Sequence, residues 1–600
     1  MTSTSEPATV ARFDDLRSGE VFRFEALTGE ILARTPEEVL PALAEVERAT
    51  AAGRWAFGFV AYEAAAGLDE AFPASKGPPG LPLVWFGLAD APAAPTALPE
   101  IGGTFRAGTW QLEWSAAEHA ARVRAVRAAI AEGETYQCNL TTRMTATVEG
   151  DPLGLYRRLV TNQRGAYNAY LDLGRFVVTS ASPECFLHWH GDRLTSVPMK
   201  GTAPRGLTVQ ADHEARDRLV ASRKDRAENV MIVDLIRNDL ARVAEPGTVE
   251  VTDLLAAERY STVWQLTSTV SGRTRPTTTL PEVFRALFPC GSVTGAPKAR
   301  TMHLIDQLEP SPRGVYCGAI GYVAPGPVRR ARFNVGIRTV VVDREHGTAT
   351  YGVGGGVTWG STADGEYREI LTKARVLHAP PEPEFDLIET VRLTPNGAVN
   401  LEAHLNRLSG SARYFGFALD REAVVSTVEA AAGHLTRDCL ARVTLTRDGD
   451  VDVTTRSATF DAGDLLTLAV DTVPIDPGSR FVHHKTTVRD AYDAARRRHP
   501  DVDDVVLVNP DGRVTETTVA NLAAQLDGVW VTPPLEDGCL PGVGREMLLE
   551  QGVLTERSLT VAELRAAEAV ALVSSARGWR RARVTPAGTG APVRPVTDGR

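Results

Sequence analysis

Cysteine is scarce in this 600-residue sequence. The six present, Cys138, Cys185, Cys290, Cys317, Cys439 and Cys539, lie far apart with no CxxC pair. That usage excludes a disulfide framework and suits a reducing cytoplasm. No apolar run approaches the ~20 residues of a membrane span, so no membrane partner is expected. The opening stretch MTSTSEPATVARFDDLRSGE has neither a basic nor an apolar segment, so no export signal is expected and the sequon at Asn139 is a chance match. Charge of one sign is nowhere gathered: the net −10 is spread along the chain. Nucleic-acid binding needs clustered Lys and Arg to neutralise phosphates, and is excluded with it. A mildly acidic cytoplasmic enzyme fits what is left.

The length exceeds one domain of roughly 100–200 residues and allows at least two cores. The clearest boundary is HAPPEPE (378–384), whose three prolines suit an extended linker. Ala91–Glu100, rich in Ala and Pro, is a weaker seam. These marks divide the chain into an N-terminal subregion (1–100), a first catalytic domain (101–378), the linker (379–384), a second domain (385–590) and a frayed tail (591–600), within a Pro/Gly-rich end from 586. Both halves mix strands and helices, an α+β pattern in two unrelated domains. Arg175–Ser180, Arg338–Asp343 and Thr348–Val353 read as strands, and Lys224–Val243, free of Gly and Pro, as the best helix. Beyond the linker, 400–415 and 485–498 read as helices, and 441–446, 467–472 and 504–509 as strands, the last entering an Asn-Pro-Asp-Gly turn.

Two acid pairs stand out in the first half: Asp225 with Glu228, and Glu366 with Glu369. Three-residue spacing puts each pair on one helical face, and two such faces can jointly hold Mg²⁺, a cation that prefers carboxylate oxygens. Alone, each pair is more often a solvated helix face. They occur, however, with SASPECFL (180–187), VPMKGTAPRG (197–206), GSVTGAPKARTMHLIDQLEPSPRGVYCGAIGY (291–322), FNVGIRT (333–339) and YGVGGGV (351–357). In this order, from Trp110 to Val376, the chain resembles the chorismate-utilising enzymes: anthranilate, aminodeoxychorismate, isochorismate and salicylate synthases. The resemblance implies a chorismate-binding α/β sandwich. It implies that Asp225, Glu228, Glu366 and Glu369 bind Mg²⁺, which clamps the ring carboxylate, and that Arg338 binds the enolpyruvyl carboxylate with its planar fork. Gly354, Gly355 and Gly356 admit the substrate against the backbone, while Lys298 and Thr294 line the pocket. The glycine run lacks the strand-to-helix setting of a dinucleotide fingerprint.

Lys200 discriminates within this group. Enzymes resembling anthranilate synthase have a small residue there, whereas those resembling aminodeoxychorismate synthase often carry Lys. A deprotonated amine can add to C2 of the ring as the C4 hydroxyl leaves; ammonia then enters at C4 and expels the lysine. Glu184 resembles the general acid for the departing hydroxyl. Gln265 stands where anthranilate synthases usually have His, and Gly58–Gly67 also looks more like the aminodeoxychorismate group. No Gly-Cys-Gly nucleophile with a downstream His-x-Glu is present, and the resemblance implies ammonia from a separate glutaminase subunit.

The second half carries FDLIETVRL (385–393), LEAHLNRLSGSARYFGF (401–417), HHKTTVRDAYDAARR (483–497), TETTVANLAA (515–524), TPPLEDGCLPGVGRE (532–546) and LVSSARGW (572–579). Together these resemble fold-type IV pyridoxal-phosphate enzymes, and the Lys-Thr-Thr run looks most like the aminodeoxychorismate lyases. The resemblance makes Lys485 the Schiff-base lysine and Glu516 the acid on the pyridine nitrogen. Arg407, Val543, Gly544 and Ser575 form the phosphate cradle, and Thr390 stands near the reacting atoms. His483 and His484 flank the lysine and are not read as metal ligands. The family usually begins with one or two strands before the FDLIET-like segment, for which the linker leaves almost no room, and commonly builds its sites at a homodimer interface. The joint expectation is 4-aminobenzoate synthesis from chorismate with Mg²⁺ and pyridoxal phosphate. The alternatives are anthranilate- or salicylate-type chemistry fused to an aminotransferase-like half, or one half serving only as a scaffold.

Overall fold

The computed structural model describes residues 9–98, 105–378, 382–433, 435–460 and 465–585. Linker residues 379–381 and the end from 586, with the expected tail, lie outside the described residues. The chain divides into two compact units, Met1–Arg205 with Ala215–Glu382, and Gly206–Glu214 with Pro383–Arg600. No helix among the described residues is long and apolar enough to cross a membrane.

Two large sheets form the first unit, ten- and nine-stranded among the described residues. The first begins Gly295–Ala296, Gln137–Glu149, Thr348–Val357, Thr339–Asp343, Phe176–Ser182, Tyr167–Asp172 and ends on Ala11–Asp14 and Val21–Phe24. In the second, Cys185–His190 lies between Arg193–Val197 and Arg330–Val335, and Trp55–Val60, Val84–Ala89 and Gly29–Ala33 close one edge. Strands from the first hundred residues are therefore woven into both sheets. The seam at Ala91–Glu100 lies within one unit, because strands before it take partners from far along the chain, Ala11–Asp14 from Tyr167–Asp172 and Trp55–Val60 from Ala319–Ala324. Apolar side chains alternate inward along these strands; Phe57, Phe59, Val178, Val315 and Ile320 share one core.

Met199–Pro204 pairs with Val263–Thr267 in a separate three-stranded sheet. Helix Arg223–Ala241 packs on Met199–Pro204. Ser222 caps it by accepting from Asp225 N, and Asn229, Ile232, Val233, Ile236 and Leu240 give a buried stripe at helical spacing. Its opening turns carry Asp225 and Glu228. Helix Ala363–Ala374, capped by Thr362, packs on Thr348–Val357 and carries Glu366 and Glu369.

The second unit holds a four-stranded sheet in the order Gly397–Ala398, Leu387–Thr394, Cys439–Leu445, Val451–Ser457, and a nine-stranded one centred on Asn521–Leu526, Ala569–Ser574, Gly578–Val584 and Leu466–Val470. Leu387, Val391 and Leu393 bury one face of the small sheet in a core shared with Leu405, Leu408, Val424 and Val428 of helices Leu401–Phe415 and Arg421–Ala432. Among the described residues no strand preceding Leu387–Thr394 joins that sheet. The expected helix 485–498 is shortened to Asp490–Arg498. Lys485 to Arg489 stay outside the helix because the Thr486 and Thr487 hydroxyls accept from Val488 N and Asp386 N, which competes with a helical turn.

Candidate active sites

In the first unit, Lys200, Glu184, the two acid pairs and the glycine strand converge. The half-buried Lys200 amine lies against Gly356, where a Cβ would come within 2.9 Å of Nζ. A Cβ on Gly355 would fall 3.0 Å from Glu366 Oε2 and 3.3 Å from Glu369 Oε1. Gly354 answers a different need: its Cβ would strike Leu140 O at 2.3 Å, across the paired strand Gln137–Glu149. Glycine at 355 and 356 thus keeps space open in front of the acids and the amine, while at 354 it permits strand packing.

Burial, followed by the like charge of Lys373, holds the Lys200 amine below the ordinary lysine range, although Glu228, Glu184 and Glu369 pull the other way. Glu184 is 3% exposed, and burial pushes its carboxyl up to about 7 against a Ser292 hydrogen bond and the charge of Lys200. Its Oε1 has no hydrogen-bond partner among the described residues. Glu228 and Glu366 are raised, chiefly by burial. For Glu369 burial acts upward, but Lys373, bonded at 2.7 Å, overrides it and holds the acid low. Asp225 accepts from Ser222 Oγ.

The four acids do not form one tight cluster: among the described residues no three of them bring ligand atoms within 4.8 Å of one another. The set still fits a hard cation, because the carboxylates of buried Glu366 and exposed Glu369 flank space a Cβ at Gly355 would fill, and Mg²⁺ keeps waters and shares substrate oxygens.

Arg338 adopts φ 51° where the chain leaves Arg330–Val335 for Thr339–Asp343, and donates to Gln163 Oε1 at 2.8 Å. A non-glycine residue in left-handed conformation at a site is a place where strain is tolerated for function. Two expected pocket residues have other partners. Lys298 Nζ donates to Asp239 at 2.7 Å and to Leu287 O at 3.0 Å, and the buried Thr294 hydroxyl donates to Cys290 O at 3.1 Å. These bonds brace the segment before helix Lys298–Leu308.

Sequence reasoning missed two residues. Lys373, whose Nζ donates to Gly354 O at 2.8 Å, was readable at i+4 from Glu369. Gln137 is 1% exposed, both its amide atoms lack partners among the described residues, and Nε2 would lie 2.8 Å from a Cβ on Gly356. No local pattern marks it. Gln265 accepts from the Thr202 hydroxyl at 2.9 Å, two residues from Lys200.

In the second unit a cavity of about 500 Å³ is lined by Lys485, Glu516, Arg407, Thr390, Val543 and Ser575. Burial and then Arg407 lower Lys485 to about 8, against Glu389 and Glu516. Burial raises Glu516 to about 7 although Tyr492 OH donates to it at 2.9 Å. Thr390 sits on the cavity face of the small sheet, directly across from Arg442.

Arg407 is gripped by Glu389, Nε to Oε1 at 2.9 Å and a terminal nitrogen to Oε2 at 2.5 Å. Burial alone would raise Glu389, but Arg407 and His404 hold it at about 2. His404 bridges Glu389 Oε2 (2.8 Å) to Ser575 Oγ (2.9 Å), which also accepts from Asn400 Nδ2 at 3.1 Å. A Cβ on Gly544 would fall 2.7 Å from the Ser574–Ser575 backbone, and helix Val543–Glu550 begins with no side-chain cap. Open helix N–H groups, a guanidinium and a serine hydroxyl are the donors a phosphate needs, so these residues fit pyridoxal phosphate.

An amine among acids over a glycine strand in one unit, and an amine and a buried acid lining one cavity in the other, define a two-site enzyme. Residues 7–379, more than half of the chain, match the chorismate binding enzyme family, and 386–584 match amino-transferase class IV. The chain belongs to the chorismate binding enzymes and carries a fold-type IV domain behind that part.

It is 47% identical over 254 residues to an aminodeoxychorismate synthase of Streptomyces pristinaespiralis, covering 42% of this chain and 35% of that one. To aminodeoxychorismate synthase component 1 of Salmonella typhimurium it is 39% identical over 287 residues, 48% of this chain and 61% of that one. The chain thus spans less than two thirds of either relative. The solved anthranilate synthase component I of Streptococcus pneumoniae, 24% identical with a TM-score of 0.51 over 62% of this chain and 91% of its own, shares the fold of the first unit.

Proposed function

We propose that the chain makes 4-aminobenzoate from chorismate in two steps. The observation that carries this reading is a pair of half-buried amines in one chain: Lys200 beside Glu184 and the acid pairs, and Lys485 in one cavity with Glu516. The first step yields an amine, and an amine is what the second site is furnished to receive.

In the first unit Arg338 holds the enolpyruvyl carboxylate. Mg²⁺, when bound, neutralises the ring carboxylate and the charge that develops as the hydroxyl leaves. Asp225, Glu228, Glu366 and Glu369 would hold that ion directly or through water. Lys200 adds to C2 as Glu184 protonates the departing C4 hydroxyl. Ammonia, supplied by a separate glutaminase subunit, then enters at C4 and releases Lys200, which gives 4-amino-4-deoxychorismate.

In the second unit Lys485 would carry pyridoxal phosphate, Glu516 would face the pyridine nitrogen, and Arg407, Ser575 and the Val543–Gly544 backbone would bind the phosphate. The cofactor, when bound, supplies an electron sink. Lys485, freed by the substrate amine, takes the C4 proton, with Thr390 alongside. The enolpyruvyl group leaves C3 as pyruvate and the ring becomes aromatic.

Purified chain with chorismate, ammonium and Mg²⁺ should give 4-amino-4-deoxychorismate without pyridoxal phosphate, and 4-aminobenzoate with pyruvate when it is added, identified by mass. An ortho-aminated product would replace this reading with anthranilate-type chemistry. Amino transfer to 2-oxo acids without pyruvate release would make the second unit an aminotransferase.

A further inference from the structure

The cavity of the second unit carries cations that cofactor binding leaves unused. Arg456 projects from strand Val451–Ser457, on the small-sheet face that also presents Thr390. Arg577 and Arg580 come from the hairpin joining Ala569–Ser574 to Gly578–Val584, in which Ser574 pairs with Gly578 and Leu572 with Arg580. Arg577 therefore stands two residues beyond Ser575, at the phosphate end.

Among the described residues neither the Arg456 nor the Arg577 guanidinium has a hydrogen-bond or ion-pair partner, and Arg580 Nε is buried without one. Two acids nearby offset part of this charge. Asp503 is engaged by the Thr467 amide and hydroxyl, each at 2.7 Å. Asp504 Oδ1 accepts from Val505 N and from Thr518 N and Oγ, and its Oδ2 is buried without a hydrogen-bond partner among the described residues. Burial and the like charge of Arg577 hold Arg580 below the ordinary arginine range, with Asp504 and Asp503 pulling against them. Asp503 and Asp504 thus offset part of the charge of the Arg577–Arg580 pair, while Arg456 has no acid paired with it among the described residues. Arg456 is exposed and Arg577 half-buried, so their N–H groups are open to a ligand entering the cavity, and the planar fork matches a carboxylate.

We propose that Arg456 on one wall and the Arg577–Arg580 pair on the other form a subsite for two carboxylates, so that the second unit selects dicarboxylic amines over amino acids with a single carboxylate. The proposal rests on the lyase reading, whose intermediate carries a ring and an enolpyruvyl carboxylate.

The test uses the full chain loaded with pyridoxal phosphate in EDTA, titrated with 3-(carboxymethoxy)benzoate or its mono-acid counterpart 3-methoxybenzoate, and read by the cofactor's near-visible absorbance. The diacid should half-saturate at a concentration about tenfold or more below the mono-acid. Arg456→Gln and Arg577→Gln should each erase most of that preference. They should also raise KM for 4-amino-4-deoxychorismate about tenfold while cofactor affinity stays at the parent value. Equal binding of the two acids, or parent KM in both variants, overturns the subsite. So does weakened cofactor binding in the variants, which would make these arginines part of the phosphate cradle. A parent chain that takes up no pyridoxal phosphate sinks the lyase reading itself, and is told apart because a loaded, active chain without diacid preference sinks the subsite alone.

Discussion

The Lys200 amine and Gly356 are in van der Waals contact range with no space between them for a methyl group: a Cβ at Gly356 would stand 2.9 Å from Nζ and 2.8 Å from Gln137 Nε2. Both neighbours are ends of flexible side chains, so alanine at this position is accommodated by moving them. Gly356→Ala should therefore leave the thermal midpoint nearly unchanged while displacing the amine. Misplacing a reacting group by about 1 Å costs up to ~100-fold in rate. Amination of chorismate should fall by about that factor, and pyruvate release from supplied 4-amino-4-deoxychorismate should not change. Parent amination rates in the variant would remove Lys200 from the reaction.

Glu184 and Lys200 set opposite demands on pH. Glu184, raised to about 7, is useful as an acid only while protonated, so amination should decline as pH rises through about 7. Lys200, lowered from the ordinary lysine value, is useful only while neutral, so the rate should also decline toward acid. With ammonia held constant as NH₃, kcat/KM for chorismate should give a bell. Glu184→Gln should lose the alkaline limb together with about 100-fold in rate. A limb near pH 7 that survives in this variant assigns it to another group.

Removing a carboxylate from a hard-cation site leaves substrate charge uncompensated. Glu366→Gln and Glu228→Gln should each raise the Mg²⁺ concentration needed for half-maximal amination, about tenfold or more, with no effect on the second reaction. Equal loss in both reactions would mean a folding defect instead of a metal defect.

Much of this site was legible because its chemistry sits at short, regular spacing. Asp225 and Glu228, like Glu366 and Glu369, share helical faces, and those helices formed where Gly and Pro are absent and caps present. The glycine strand was legible as a run, but the reason differs by position: Gly354 yields to a backbone carbonyl, Gly355 to acids, Gly356 to an amine. Gln137 was hidden because its importance comes from strand pairing that sets Asn139 across from Gly356. The ion pair of Lys298 with Asp239, 59 residues away in sequence, was not legible, because a pocket motif carries no sign of a distant partner. The interleaving of the first hundred residues into both sheets depends on pairings such as Ala11 with Leu171, which no local pattern encodes.

Glu389 anchors the phosphate end of the second unit. Its carboxyl is held at about 2, below its ordinary 4.5, so its ion pair stabilises the fold above the unfolded value and that stability is lost as pH falls from about 4.5 toward 2. Glu389→Gln leaves the Arg407 guanidinium with Pro541 O as its remaining hydrogen-bond partner among the described residues, and breaking such a pair costs about 3–5 kcal/mol. Unfolding of the second unit should occur earlier at pH 7 by that amount, with the gap to the parent narrowing below pH 4. Pyridoxal phosphate affinity should fall as well, since Arg407 and, through His404, Ser575 lose their orientation. A gap that stays constant down to pH 3 would show that the ion pair is not its source.

Lys485→Ala separates the two reactions most sharply. A covalent link to pyridoxal phosphate needs an amine, and elimination needs a base at the same place; Lys485 is the lysine lining the cavity among the described residues, half-buried and lowered to about 8. The variant should lose the cofactor's near-visible absorbance after dialysis and release no pyruvate. The first unit keeps its own amine and acids, so chorismate, ammonium and Mg²⁺ should still give 4-amino-4-deoxychorismate at the parent rate, and this product should accumulate. Full-length Lys200→Ala has the reverse lesion, with the second cavity intact. Mixing the two variants should restore 4-aminobenzoate and pyruvate if the intermediate passes through solution. If the intermediate is present, Lys200→Ala is loaded with cofactor and still no 4-aminobenzoate forms, then Lys485 is not acting as an independent lyase base and the two-step assignment is wrong.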